Sequence, residues 1–279
     1  MITLSAFADE IDPDLTVQMD TCAAQGLRHI DVRGIDGTNV SQMTLEQVRQ
    51  YRRRLDDRGF VVPCIGSPIG KIKISDDFEA HKDLLKHTCD VARAFGTDRI
   101  RVFSFYPSDG TDIAEQRAEV LDRMNACIEI AGAAGCRLFH ENEKRIYGAR
   151  PDGVRDLFDA LGTSRISGIF DPANYVEEGL RPYEDAWQEG LSERTHYFHI
   201  KDKVPGGDAC VPAGQGHGQI DRIAADLAAR NWSGVMTLEP HLGQAGQFSG
   251  YTGPQRFAEA VSALRGLCET AGLPIAAGP

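Results

Sequence analysis

No apolar run in this 279-residue chain approaches the length needed to span a bilayer. The first residues lack a basic segment and a long apolar stretch. Asp9, Glu10, Asp12 and Asp14 follow instead, so no signal peptide is expected. Positive charge is in deficit, with 30 Lys and Arg against 41 Asp and Glu and a formal net charge of −11. Such a surface repels phosphates and anionic lipid, so no nucleic acid and no membrane is expected as a partner. The seven cysteines (Cys22, Cys64, Cys89, Cys127, Cys136, Cys210, Cys268) are odd in number and scattered, without a Cys-x-x-Cys. That argues against a zinc knuckle or a disulfide framework and for reduced thiols in a cytoplasm. None of them has a neighbouring motif that would activate it.

Nucleotide and nucleophile motifs are missing too. There is no Gly-Lys-Ser/Thr phosphate loop and no Gly-x-Ser-x-Gly elbow. The turn Gly214-Gln-Gly216-His217-Gly218 is glycine-rich, but it does not match Gly-x-Gly-x-x-Gly or follow a Rossmann-type first strand. Dinucleotide binding is therefore not expected.

What is present is a repeat of about 30 residues. Apolar, β-prone runs occur at Ile2–Phe7, His29–Val32, Phe60–Gly66, Ile100–Tyr106, Cys136–Glu141, Ile166–Phe170, Tyr197–Ile200 and Val235–Glu239. Several are nearly continuous, as strands buried on both faces are. Helix-like segments rich in Ala, Leu, Arg and Glu separate them: Asp14–Gln25, Thr44–Arg58, His81–Phe95, Ile113–Ala134, Pro151–Leu161, Tyr183–Gly190, Ile220–Arg230 and Gln255–Ala271. Gly26, Gly59, Gly96 and Gly135 follow the first four and can cap them. Eight strands alternating with eight helices predict an α/β fold, a closed (β/α)8 TIM barrel. No composition break interrupts residues 1–279, so one domain is expected. The loops 66–77, 203–219 and 241–254 follow strands and belong at the functional face of such a barrel.

Four of the runs end in a metal-type ligand: Glu141, Asp171, His199 and Glu239, spaced 30, 28 and 40 residues apart. In a parallel barrel all four meet at the carboxyl-end mouth. Two Glu, one Asp and one His suit a single divalent cation of the Mn, Mg, Co or Zn kind. Glu141 and Glu239 also suit proton removal next to a carbonyl, with a cation holding the substrate oxygens.

The neighbours carry alternatives. Glu143 is two residues past Glu141 and is its rival as ligand, or else touches substrate. Lys201 either reaches a substrate oxygen or pairs with Asp202 at the rim. Asn174 touches substrate or cation, or is a turn residue after Asp-Pro. His241 points the same way as Glu239 and is a substrate-contact candidate. His140 should face the helices, and His196 reads as structural. Ser67-Pro-Ile-Gly-Lys71-Ile-Lys73 either cradles an anionic or polyhydroxy substrate or simply closes over the barrel.

The segments His140-Glu-Asn-Glu-Lys-Arg-Ile-Tyr-Gly148, Phe170-Asp-Pro-Ala-Asn174, Phe198-His-Ile-Lys-Asp202 and Leu238-Glu-Pro-His-Leu242 resemble the xylose isomerase-like TIM barrel superfamily. That group holds sugar phosphate isomerases/epimerases, D-tagatose 3-epimerase, hydroxypyruvate isomerase, inosose dehydratase and endonuclease IV. Weaker agreement appears at Asp31-Val-Arg33-Gly, Ser67-Pro-Ile-Gly-Lys71 and Val211-Pro-Ala-Gly-Gln-Gly216. The resemblance implies that Glu141, Asp171, His199 and Glu239 form a single-metal site, with manganese the first expectation, and that the two glutamates double as acid and base. Arg33 and Lys71 enter as substrate-binding candidates on the weaker segments. The DNA-repair branch has a histidine where Asn174 stands and further histidines near Arg33 and Ser67-Pro68, so its three-metal site cannot be assembled. The implied activity is isomerisation or epimerisation of a small sugar or keto-sugar. The alternative is a lyase or dehydratase acting on a 3-keto sugar, inosose or keto-glycoside, since both begin with loss of a proton α to a carbonyl. The resemblance also allows a homo-oligomer, though no stretch of the sequence declares an interface.

Overall fold

The structure is a computed structural model that describes residues 1–162, 164–207, 209–243 and 252–276. Six strands form one parallel sheet: β1 (Ile2–Ala6), β2 (Arg99–Val102), β3 (Arg137–Glu141), β4 (Ile166–Phe170), β5 (Thr195–Ile200) and β6 (Gly234–Leu238). Their order is β1-β6-β5-β4-β3-β2. The gap between β1 and β2 is closed by the second and third apolar runs. Asp31 N–H donates to Ala6 C=O, Ile30 N–H to Val61 C=O, and Ile65 N–H to Arg99 C=O. The barrel therefore has eight staves, as the repeat predicts.

Two of the expected strands are not laddered. Residues 29–32 and 61–65 join only through isolated bridges, His29 with Val61 and Val32 with Ile65. Pro63 offers no N–H in the middle of the second of these runs, which limits its ladder. The fourth run stops at Val102 rather than Tyr106. Phe105 takes a left-handed φ of 65°, and residues 103–106 turn to pair with the segment after the third run. There Phe103 N–H donates to Ile69 C=O and Phe105 N–H to Gly70 C=O.

The outer ring is α1 (Leu15–Ala24), α2 (Leu45–Asp56), α3 (Phe78–Phe95), α4 (Arg117–Ala133), α5 (Pro151–Leu161), α6 (Pro172–Glu177), a π-helical segment Pro182–Leu191, α7 (Ile220–Ala229) and α8 (Gly253–Thr270). The sequence patterns predict all of these but α6. The Asp-Pro-Ala-Asn stretch, for which a turn is one of the open readings, is a helix start. Asp171 is its N-cap, accepting from Asn174 N–H at 3.0 Å, and Pro172 stands at the first helical position.

Two apolar layers position the site. Leu138, Phe170, Phe198 and Met236 point outward against the helices. Phe139, Ile169, Tyr197 and Val235 point inward, with Cys64, and fill the barrel. Each such side chain contributes roughly 1.5–3 kcal/mol on burial. Because strand side chains alternate, Glu141, Asp171 and His199 follow two residues after Phe139, Ile169 and Tyr197 and stand above them. Between floor and mouth lies one polar group. Asp31 accepts from the hydroxyls of Ser5 (2.8 Å), Tyr197 (2.7 Å) and Thr237 (2.9 Å).

Candidate active site

Glu141, Asp171, His199 and Glu239 are all buried, at 4% exposure or less. His199 Nδ1 lies 2.9 Å from Glu141 Oε1 and 3.6 Å from Glu239 Oε2. One atom from each of these three residues lies within 4.8 Å of the other two. Asp171 stands outside that convergence. Its Oδ2 is 3.0 Å from Lys201 Nζ.

Each of the four ends in a buried atom that no group among the described residues hydrogen-bonds with proper geometry: Glu141 Oε2, Asp171 Oδ2, both nitrogens of His199, and Glu239 Oε2. Arg101 and Lys201 come within ion-pair reach of two of these oxygens but off the hydrogen-bond line. Buried polar atoms without partners are rare and costly. Their coincidence with the four strand-end ligands is the fit expected for a divalent cation. Five carboxylates, Asp9, Glu10, Glu141, Asp171 and Glu239, share the mouth with Arg33, Arg101, Lys201 and His241.

The environments push these groups apart. Burial would raise the Glu141 carboxyl, but the His199 ring and the Arg101 guanidinium bring it down to about 2. Burial likewise opposes ionisation of Glu239, yet Lys201, His241 and Arg33 hold it well below the usual range. At Asp171 burial prevails over the pull of Lys201, and the carboxyl is pushed up to about 7. His241 is desolvated, which would lower it, but contacts with Cys210, Glu10 and Glu239 carry it to about 11.

The other sequence candidates fall as follows. Arg33 is wholly engaged with carboxylates, donating to Asp9 (2.7 Å) and Glu239 (2.7 Å) and to Glu10 (3.2 Å). Asn174 is a brace. Its amide donates to Asn142 C=O at 2.8 Å, and Asn142 in turn holds the Asp171 backbone by a reciprocal pair at 2.9 Å. Glu143 is not with the cluster. It pairs with Lys71 at 2.9 Å and accepts from Lys144 N–H. Lys71 also lies over the Phe103 ring. Lys73 pairs with exposed Asp109. Lys201 pairs with Asp171, not with Asp202. His140 faces away as expected, its Nε2 3.0 Å from Ser104 Oγ, and burial lowers it to about 4. His196 is exposed at the foot of β5. The central part of the loop 241–254, residues 244–251, lies outside the described residues.

Sequence reading missed three participants. Arg101 sits in an apolar strand with Nη1 3.2 Å from Glu141 Oε2. A lone arginine inside an apolar run was the available signal, since it needs a buried anion. Asn142 was hidden between two glutamates. Glu10 stands among the acidic residues Asp9, Asp12 and Asp14, and its side chain is fully buried. Phe7 packs edge-on against His199 at 4.8 Å and lies between the guanidiniums of Arg33 and Arg101.

The Gly214–Gly218 turn closes on the chain itself. Its Gly214, Gly216 and Gly218 N–H groups donate to the Asp202 carboxylate at 2.8, 3.0 and 2.8 Å.

A family model described as the xylose isomerase-like TIM barrel matches residues 19–267. No curated protein matches the chain. Among solved structures, the probable 3-DHS dehydratase AsbF from Bacillus anthracis superposes with a TM-score of 0.73 at 16% identity, over 95% of this chain and 99% of that one. A D-tagatose 3-epimerase-like protein gives 0.74 at 13% identity, over 97% and 98%. A xylose isomerase-like TIM barrel protein from Mycobacterium smegmatis in complex with magnesium gives 0.71 at 16%, over 98% and 97%. At these identities the likeness is one of fold.

Proposed function

The chain belongs to the xylose isomerase-like TIM barrel family, and from that premise we propose that it is a divalent-metal-dependent isomerase or epimerase of a small sugar or keto-sugar. One observation carries the reading: four buried strand-end ligands each keep an atom without a hydrogen bond, three of them converging on a common point. Glu141, Asp171, His199 and Glu239 would hold the ion, with manganese the first choice and magnesium, cobalt or zinc the others. Bound there, it would lower the cost of negative charge on the substrate's carbonyl and hydroxyl oxygens.

The chain's own groups do the rest. Glu141 and Glu239 approach from strands β3 and β6, with His199 between them, so a sugar carbon between the carboxylates can lose a proton to one and regain it from the other. Both are held ionised, which suits the accepting role, and the carboxylate that returns a proton must first take one up from solvent. Among the described residues Lys201 has a single partner in hydrogen-bond range, Asp171, and it retains donors for a substrate oxygen. Lys71 and His241 stand at the rim as further contacts. The compartment consistent with seven free cysteines is the cytoplasm.

A second reading, a lyase or dehydratase on a keto-sugar, uses the same first proton transfer. The likeness to a dehydratase of similar size supports it. The test is incubation of candidate ketoses, inososes and 3-keto-glycosides with the Mn2+-loaded protein in deuterated water. Deuterium in an isomerised product supports the first reading, and an unsaturated product supports the second. Turnover to an isomerised product that carries no solvent deuterium would sink the proton transfer of the first reading in favour of a hydride shift.

A further inference from the structure

The reading above leaves Glu10 unused. It lies on the short turn Ala8–Glu10 that follows β1, and it is 1% exposed. A carboxylate taken out of water needs compensation, and the partners of Glu10 show what it holds. Its Oε1 lies 2.8 Å from His241 Nε2 and 3.2 Å from Arg33 Nη2. Its Oε2 accepts from the His241 backbone N–H at 3.0 Å and from the Thr252 hydroxyl at 2.7 Å. The same two side chains meet again at Glu239. Arg33 Nη1 donates to Glu239 Oε1 at 2.7 Å, and His241 Nε2 is 3.4 Å from that oxygen. Glu10 and Glu239 are thus bridged twice, once by a guanidinium and once by an imidazole. The bridges take Oε1 of Glu239 and leave Oε2 turned toward His199 Nδ1.

We infer that Glu10 is a positioning residue for Glu239, acting through Arg33 and His241 and setting which carboxylate oxygen is presented to the metal and substrate. The inference rests on the metal-dependent reading above. Arg33 cannot do this alone, because a long side chain fixed at one end keeps several rotamers. Asp9 on Nε and Glu10 on Nη2 commit the rest of the fork, so the guanidinium arrives at Glu239 already oriented. Partners that orient a metal ligand set the affinity of the site.

The test is calorimetric titration of Mn2+ into the full-length protein after chelator treatment, comparing wild type, Glu10→Gln and Thr252→Val. Glu10→Gln keeps the shape but removes the charge that both bridging cations share. Its Mn2+ affinity is expected to fall ~10–100-fold. Thr252→Val removes the contact to the other oxygen, together with the one from Leu242 N–H, and should bind Mn2+ as wild type does. The losses in Glu10→Gln and Arg33→Met should not add in the double variant, because one acts through the other. If Glu10→Gln does not fold, Glu10→Asp, which keeps the charge but is one methylene shorter, should show the same loss in smaller measure. Wild-type affinity in a folded Glu10 variant, even one of lowered melting temperature, would overturn the inference, as would additive losses. A wild type that takes up no Mn2+ would overturn both this inference and the reading on which it rests.

Discussion

Lys201 Nζ lies 3.0 Å from Asp171 Oδ2, and both side chains are buried at the mouth of the barrel. The two come from adjacent strands, Asp171 at the end of β4 and Lys201 just past β5. Asp171 is also the cap of α6, so a single carboxylate serves a helix start with one oxygen and a lysine with the other.

Replacing Lys201 by Met therefore leaves Asp171 buried without its cation. Breaking a buried pair from one side costs about 3–5 kcal/mol. Urea unfolding of metal-free Lys201→Met should show a loss of that order, and saturating Mn2+ should restore part of it. Unchanged stability in chelator would show that the pair does not matter to the fold.

Glu141 and Glu143 are two residues apart but differently placed, the first beside His199 and the second beside Lys71. Glu141→Gln should lose metal affinity and at least ~10²–10⁴-fold in turnover. Glu143→Gln should keep the metal and lose far less. A metal-free Glu143→Gln beside a fully loaded Glu141→Gln would move the site along the strand.

His81 reports on the loop after the third stave. Its Nε2 accepts from Gly70 N–H at 2.8 Å, so the ring must be neutral to hold that bond. Burial, aided by Arg123, lowers it from 6.5 to about 4. A histidine depressed in the folded state contributes stability in full above the unfolded value. That contribution is lost as pH falls from about 6.5 to about 4. Wild type should lose stability across this window more steeply than His81→Gln, which keeps an acceptor but does not titrate. Parallel unfolding curves at pH 7.5, 6 and 5 would refute this.

Gly70 adopts a φ of 90°, and a Cβ there would stand 2.0 Å from Phe103 C=O. Neither the backbone conformation nor the space tolerates a side chain. Gly70→Ala should destabilise by roughly 2–4 kcal/mol in denaturant titration. A cost below half a kilocalorie would mean that the 69–73 segment shifts freely away from residues 103–106.

Much of the barrel could be read because its physics is local. Apolar runs such as 166–170 and 235–238, buried on both faces, and helices closed by left-handed glycines such as Gly96 announce themselves at short range. The four strand-end candidates Glu141, Asp171, His199 and Glu239 were visible for the same reason, as each breaks an apolar run. The lengths of the third and fourth staves were not visible, since Phe105 is bent by pairing with residues 69–73, a contact made across more than 30 positions. Nor could the sequence say that Arg33 faces carboxylates rather than substrate, or that Glu10 is buried. Those facts depend on which loops meet above the barrel, and periodicity carries no information about that. At Asp171-Pro172 a turn was one of the open readings, and the helix cap found there begins with the same two residues.

The Asp202 carboxylate gathers three amide N–H groups from Gly214, Gly216 and Gly218, and a Cβ at Gly216 would fall 2.3 Å from its Oδ1. A concave run of amides of this kind is the usual receptacle for a phosphate. Here the chain supplies its own anion, so the receptacle is satisfied from within and offers nothing to a phosphorylated ligand. For anyone recasting this mouth, Gly216 and Gly218 are the positions that reject a side chain, because a Cβ at either would crowd the Asp202 carboxylate that ties this segment down.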